Sequence, residues 1–152
     1  MVTLMHCNVI TRSMSVCALF LVLSVLSFRA GAVTTVEVDS LRDLYLSTAG
    51  AHWRWRPAAL GAVWDFTTDP DTGEAPDPCA EEWQGVTCSG VVNTYISGLR
   101  LNRFNLTGTI PESICNLTRL QNLGLTINRI SGSIPSRIGD MVTIVIDESA
   151  QG

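Results

Sequence analysis

The sequence predicts an α/β fold in which a short right-handed solenoid carries a parallel sheet on its concave face. Residues 96–120 match residues 120–144 at a constant spacing of 24, and every leucine or isoleucine of the first segment meets an apolar residue in the second. Two glycines and two prolines also repeat in place. A repeat of this length indicates coils that bury their apolar faces only by stacking on one another.

The first 32 residues predict a secretory signal peptide. Arg12 lies in the N-terminal part, an apolar run covers residues 14–28, and Ala30-Gly31-Ala32 follows. The run is shorter than the ~20 residues that a membrane-spanning helix needs, and Arg29 closes it. We expect cleavage after Ala32, and an uncleaved signal anchor is the alternative.

The charge balance argues against nucleic acid as a partner. Cleavage would reduce the basic residues from 10 to 8 against 14 acidic residues, which changes the net charge from −4 to −6. The sequence contains no lysine. Binding to a phosphate backbone needs clustered positive charge, which this composition does not favour.

Three cysteines remain after residue 32, and two of them are predicted to form a disulfide. Export places them in an oxidising compartment, where nearby cysteines usually pair. Cys79 and Cys88 are nine residues apart, and closing so short a loop contributes about 2–3 kcal/mol. Cys115 is expected to be a buried apolar group, with an intermolecular disulfide as the alternative.

Each repeat begins with a short predicted strand. Leu123 and Leu125 alternate along it and therefore point to one side, the interior. Asn128 turns the chain, and its amide is expected to bond backbone groups of the neighbouring coil. Pro135 starts the return segment with a fixed φ.

Two segments in register carry a resemblance to a known family. Residues 105–114 (NLTGTIPESI) and 128–138 (NRISGSIPSRI) resemble the plant-type leucine-rich repeat with its L-x-G-x-I-P signature. The preceding residues 77–79 (DPC) and 83–88 (WQGVTC) look like the N-terminal cap of that family. Residues 39–46 are typical of an amphipathic helix, which the cap would contain.

The resemblance covers about residues 36–142 and implies a disulfide-bonded cap over residues 33–95. Leucine-rich repeats then span residues 96–146, two of them full and the third truncated, and residues 147–152 form a tail. Phe104 departs from the pattern because the first repeat should carry asparagine there. The third repeat fails, since its leucine positions fall on Asp147 and Ser149. An apolar flank near Ile134 is then expected at the last coil, which favours self-association through this edge or a chain that is a fragment.

No catalytic, metal or cofactor site is predicted. The acidic residues 69–74 lack the glutamate of a calcium loop, because its position falls on Ala80. His52 has no histidine or cysteine spaced as a metal partner. The four tryptophans are interpreted as packing in the cap, with a ligand-stacking set as the alternative.

The concave strand face is the predicted binding surface. The side chains expected to project from it carry no packing role in the repeat pattern, and simple solvation is the alternative for each. The guanidinium groups of the arginines among them can bind a carboxylate through two parallel hydrogen bonds. Asn105 and Asn116 begin N-x-Thr glycosylation motifs, and Asn116 is favoured because it should lie on the outer side. The predicted ligand-binding residues are Arg100, Asn102, Arg103, Gln121, Asn122 and Thr126.

The resemblance implies a function outside the cell. The family includes receptor-kinase ectodomains, receptor-like proteins and polygalacturonase-inhibitor-like proteins, which recognise proteins, peptides or wall glycans. The chain is therefore expected to be a secreted or cell-surface recognition module, not an enzyme, without a membrane span after cleavage. The alternatives are a structural, wall-associated or self-associating protein, and a truncated receptor without independent function.

Overall fold

The computed structural model describes residues 33–91 and 94–140. The predicted signal peptide at residues 1–32, the start of the third repeat and the tail lie outside the described residues. Among the described residues, no helix has the length and apolar character needed to cross a membrane.

Helix α1, Thr35–Ser47, opens the cap. It begins at Thr34, whose hydroxyl accepts from the backbone N–H of Glu37 while the Glu37 carboxylate accepts from the backbone N–H of Thr34. Its buried face includes Val38, Leu41 and Leu44. The predicted amphipathic helix is therefore confirmed, and it starts four residues before the predicted segment.

The rest of the cap consists of short elements joined by loops. Two 3₁₀ segments, Gly50–His52 and Ala58–Leu60, precede strand β1, Val86–Ser89. The predicted disulfide is present between Cys79 and Cys88, with a Cα–Cα distance of 5.9 Å. The disulfide links the end of the acidic loop, residues 65–78, to β1.

The two repeats follow as stacked coils. Strand β2 (Tyr95–Arg100) pairs in parallel with β4 (Asn122–Gly124), so that Leu99 lies opposite Leu123 at the predicted spacing of 24. A second, two-stranded sheet joins β3 (Thr107–Gly108) to β5 (Arg129–Ile130), also in parallel. The return segments are 3₁₀ helices at Glu112–Asn116 and Ser136–Asp140.

Two features of the predicted fold class need correction. The concave sheet has the order β1-β2-β4 and is mixed, because β1 pairs antiparallel with β2. Only five residues separate β1 from β2, and a parallel pair would need a crossover of a dozen or more. The described α-helix content is confined to the cap, since each return segment is a five-residue 3₁₀ helix.

Phe104, the departure from the repeat pattern, fills the junction between cap and first coil. Its side chain is 1% exposed, and its ring centroid lies 6.3 Å from that of Trp53 and 5.9 Å from that of Trp55, both edge-on. On the side that faces the cap, the first coil therefore packs against aromatic side chains and not against another coil. An apolar ring therefore fits where the next coil needs an asparagine.

The apolar core is continuous from cap to second coil. Trp83 and Trp64 stack at 5.6 Å in the cap, and Trp64 lies 5.0 Å from Trp53. The interpretation of the tryptophans as packing residues is confirmed for Trp53, Trp64 and Trp83, which are buried, while Trp55 is half-buried. Cys115 is buried at 4% exposure, as expected.

Candidate recognition surface

The concave sheet carries an exposed polar row formed by Arg100 at the end of β2, Asn122 in β4 and Gln121 directly before β4. Gly98 lies between Thr87 of β1 and Asn122 of β4, and the residues on either side in β2, Ser97 and Leu99, are buried. Gly98 is itself buried, and a Cβ atom placed on it would lie 3.3 Å from the Cβ atom of Thr87. Arg100, Gln121 and Asn122 are exposed, so these predicted residues lie on accessible surface of the first two coils.

Asn102 and Thr126, two further residues predicted to bind a ligand, form a hydrogen bond with each other. The Oδ1 atom of Asn102 accepts from the backbone N–H of Thr126 at 2.9 Å, and both residues are half-buried. A Cβ atom placed on Gly124 would lie 3.1 Å from the same Oδ1 atom. Asn102 thus orders the end of the next strand, a structural role that its place in the repeat pattern did not indicate.

The turn after β2 leads the chain out of the concave face. Arg103 and Asn105 both have a left-handed backbone, with φ of 63° and 64°, and Ile127 has φ of 56° one coil later. The backbone N–H of Arg103 donates to Thr126 O at 3.0 Å. Arg103 is exposed, so the turn carries a cation at the rim of the sheet.

Three more arginines, which were not among the predicted binding residues, bond to residues of this turn. The Arg56 guanidinium donates to Asn102 O at 3.2 Å and lies 5.2 Å over the Phe104 ring. Arg54 is fixed through its backbone N–H, which donates to Phe104 O at 2.7 Å. Arg129 of the second coil donates to Asn105 Oδ1. We call Arg54, Arg56, Arg103 and Arg129 the arginine cluster.

The cap positions Arg56 of the arginine cluster through one buried side chain. Gln84 Oε1 accepts from the backbone N–H of Arg56 at 2.8 Å, and its Nε2 donates to Arg56 O at 2.9 Å. The tryptophans alternate with the arginines in the sequence WRWRP at residues 53–57. Alternation along an extended segment places both arginines on one side, which is the signal that could have revealed them.

The predicted role of Asn128 is confirmed. Its Nδ2 atom donates to Leu101 O of the preceding coil and to Leu125 O of its own coil, each at 2.8 Å. Its Oδ1 atom accepts from the backbone N–H of Leu106 at 3.0 Å. These bonds hold the rim of the candidate surface in place across both coils.

The two candidate glycosylation residues have different surroundings. Asn105 is half-buried, its Nδ2 atom donates to His52 O at 3.0 Å, and its Oδ1 atom accepts from Arg129. Asn116 is exposed at the end of the 3₁₀ helix Glu112–Asn116. A glycan at Asn105 would occupy a nitrogen that joins cap and first coil.

The acidic loop before the disulfide uses its carboxylates to order its own backbone. Backbone N–H donation from Thr67 is the main cause that lowers the pKa of Asp65, and donation from Thr72 and Asp71 lowers the pKa of Asp69. Within residues 33–91 and 94–140, no group of three or more acidic, histidine or cysteine side chains is arranged to hold a metal ion.

Comparison with known proteins identifies plant relatives. Protein STRUBBELIG of Arabidopsis thaliana is 29% identical over 115 residues, covering 73% of this chain and 12% of that protein. A probable inactive receptor kinase of the same plant is 31% identical over 126 residues, covering 81% of the chain and 16% of that protein. A nodulation receptor kinase of Pisum sativum is 45% identical over 62 residues, covering 40% and 7%. The chain thus spans 7% to 16% of the length of these relatives.

Solved structures place the fold among leucine-rich repeat ectodomains. The ectodomain of the receptor kinase SOBIR1 from Arabidopsis thaliana has a TM-score of 0.50 at 17% identity, covering 75% of this chain and 53% of that chain. The PEPR1–AtPEP1 crystal structure has a TM-score of 0.51 at 26% identity, covering 73% and 14%. No model of a known protein family matches the chain. The relatives, the cap disulfide and the register of 24 residues together identify the chain as a plant-type leucine-rich repeat protein.

Proposed function

We propose that the chain is an extracellular recognition module, secreted or at the cell surface, that binds a peptide or protein through its concave face. The observation that carries this proposal is the exposed polar row of Arg100, Gln121 and Asn122 on a sheet whose other face is buried. Side chains with no packing role on a rigid sheet are suited to contact a ligand. Wall glycans are a further ligand class in the family it resembles.

The proposed mechanism is binding without chemistry. A ligand lying across β2 and β4 would meet the Arg100 guanidinium, which offers five N–H donors, and the amides of Gln121 and Asn122, which both donate and accept. Asn102 and Thr126 contribute by fixing the strand ends that carry these side chains. The PEPR1–AtPEP1 structure supports the proposal, because there a chain of related fold was crystallised with a second component.

The experiment is a selection of binders from a random peptide library against the purified full chain. Selected peptides are synthesised and their affinities measured by fluorescence polarisation for wild type and for the triple variant Arg100→Ala, Gln121→Ala, Asn122→Ala. These residues are exposed, so the variant should keep its fold. We expect the affinity to fall by about tenfold or more, because truncating a single energetically dominant residue at the centre of an interface costs about 2 kcal/mol or more.

The matched control is the triple variant Glu112→Ala, Arg119→Ala, Ser136→Ala, which changes exposed residues outside the concave strands. It should bind the selected peptides as the wild type does. Equal binding by both triple variants, or a library that yields no peptide above background, would overturn the proposal.

We also propose that Asn116 is the glycosylated asparagine. It is exposed, whereas the Asn105 amide is engaged on both sides. Mass spectrometry of the chain secreted from plant cells should find a glycan on the peptide that contains Asn116 and none at Asn105. A glycan at Asn105 in folded material would contradict this assignment.

A further inference from the structure

We infer that the ligand of the concave face carries an acidic peptide stretch that binds the arginine cluster beside that face. This inference rests on the proposed function and names the chemistry of the ligand. It starts from four arginines of the cap, the first coil and the second coil that come together at the turn of residues 102–105. Arg103 is part of this turn, Arg54 bonds to it through its backbone N–H, and Arg56 and Arg129 bond to it through their guanidiniums.

The cluster has no negative partner within the described chain. Arg42 forms an ion pair with Asp39 at 2.8 Å, but none of the four guanidiniums lies within ion-pair distance of a carboxylate of residues 33–91 or 94–140. All four arginines are exposed. Guanidinium groups stay charged at any physiological pH, so the residues that form or contact this turn carry four positive charges without a carboxylate partner in the described chain.

Most of the donor capacity of the cluster is unused. A guanidinium has five N–H donors. Arg56 and Arg129 each direct a side-chain bond to a neutral oxygen, of Asn102 and Asn105 respectively. Within the described residues, the side chains of Arg54 and Arg103 donate to no acceptor. The remaining donors are available for carboxylates, which the planar fork of arginine binds through two parallel bonds.

Positive and negative charges are unevenly distributed along the chain. Residues 33–91 contain three arginines against ten carboxylates, whereas residues 94–140 contain five arginines against two carboxylates, Glu112 and Asp140. The arginine cluster is therefore a local positive site on a chain of net charge −4. The arginines of the cluster attract negative charge, whereas the carboxylates of the cap repel it elsewhere, so an acidic peptide binds at the cluster.

The geometry favours a peptide over a polyuronate chain. The cluster is compact, because Arg103 is part of the turn and the other three bond to residues of that turn. A compact cluster matches two or three carboxylates on adjacent residues, whereas a polyuronate needs cations along an extended track. Arg103 is three residues beyond Arg100, so one peptide can contact the concave row and the cluster together.

The test uses the purified full chain and fluorescein-labelled decaglutamate, with decaglutamine as the neutral counterpart. Binding is measured by fluorescence polarisation. We expect decaglutamate to bind and decaglutamine not to bind, and we expect the affinity to fall steeply between about 0.05 M and about 0.3 M salt, because screening weakens exposed charge pairs. The double variant Arg54→Gln, Arg103→Gln should weaken decaglutamate binding by about tenfold or more.

The matched control is Arg119→Gln, Arg137→Gln, which removes the same charge from arginines outside the cluster. Its affinity should stay within about twofold of wild type, because distant exposed charges are screened. Circular dichroism checks the fold of both variants, and none of the four substituted side chains donates a hydrogen bond within the described residues.

Three outcomes would overturn the inference: equal binding of decaglutamate and decaglutamine, equal losses in the two double variants, or tighter binding of decagalacturonate than of decaglutamate. The library selection separates this inference from the proposed function. Selected peptides that lose affinity in the concave triple variant, but contain no acidic stretch and ignore the cluster variant, would leave the function standing and remove the acidic ligand.

Discussion

Asn128 shows how one side chain joins two coils. It provides partners for the backbone N–H of Leu106 and for the carbonyl oxygens of Leu101 and Leu125. Alanine would leave these groups without partners, and each buried unsatisfied group costs roughly 1–3 kcal/mol. We therefore expect Asn128→Ala to lower the free energy of unfolding by about 2–4 kcal/mol in urea denaturation.

Asn122→Ala is the matched control, since Asn122 is exposed and makes no side-chain hydrogen bond within the described residues. Its free energy of unfolding should stay within about 0.5 kcal/mol of wild type. Equal losses for Asn128→Ala and Asn122→Ala would show that the bonds of Asn128 do not stabilise the coils.

The sequence predicted the role of Asn128 but not that of Asn102, and the reason is physical. A turn asparagine inside a repeat has backbone groups of the adjacent coil as its nearest partners, whatever the surrounding sequence. Asn102 was predicted on the strand face but lies in the turn after β2, and in the repeat pattern a bond to Thr126 and projection to a ligand look the same. The alternation WRWRP groups Arg54 with Arg56 on one side of the segment, but it does not show which turn they approach. The position of Arg129 depends on the turn that follows β2 one coil earlier, which no local pattern encodes.

Helix α1 ends directly on the first coil. The carbonyl oxygens of Ser47 and Thr48 lie at its C-terminus and have no partner inside the helix. They accept from the backbone N–H groups of Thr109 and Thr107, at 3.2 Å and 3.1 Å respectively. The carbonyl oxygens at the end of the cap helix thereby gain hydrogen-bond partners from the segment of β3. These bonds require the two backbones to lie close together.

Gly108 allows that approach. It has φ of 110°, and a Cβ atom at this position would lie 2.1 Å from Ser47 O. We expect Gly108→Ala to lower the free energy of unfolding by about 2–4 kcal/mol, since both the backbone strain and the displaced helix end cost energy. Thermal and urea denaturation measure it. The control is Gly139→Ala, where a Cβ atom meets nothing within 4 Å, and a comparable loss there would contradict the explanation.

Among the elements, the concave strands that belong to the repeats were predicted from the sequence, whereas strand β1 of the cap was not. The strands β2 and β4 follow from the spacing of Leu99 and Leu123, because the leucines must face one interior. The antiparallel β1 was missed because its direction is set by the short connection from Ser89 to Tyr95. Its residues, VTCS, show no clear alternation of apolar and polar side chains that would distinguish a strand from a loop.

Across the whole molecule, cap and repeats share one core. Phe104 of the first coil contacts Trp53 and Trp55 of the cap, and Glu37 of α1 accepts from the backbone N–H of Ile96 in β2 at 3.2 Å. A coil of this kind cannot bury its own faces and depends on its neighbours for stability. A substitution that destabilises the second coil should therefore destabilise the cap as well.

Leu123→Ala tests this coupling. Leu123 is 1% exposed in the second coil, and removing its side chain should lower the free energy of unfolding by about 2–4 kcal/mol. The four tryptophans all lie in the cap, so their fluorescence reports on the cap, whereas far-ultraviolet circular dichroism reports on all regular elements. We expect both denaturation midpoints to fall together, because a continuous core unfolds cooperatively.

The control substitution is Leu46→Ala, since Leu46 is 68% exposed on α1 and its removal should change either midpoint little. If Leu123→Ala shifts the circular dichroism midpoint and leaves the tryptophan midpoint in place, the cap folds independently of the second coil. The ring contacts of Phe104 would then be too weak to couple cap and repeats. A common shift would instead mean that a ligand bound across the first two coils stabilises the cap as well, by mass action on a single folded state.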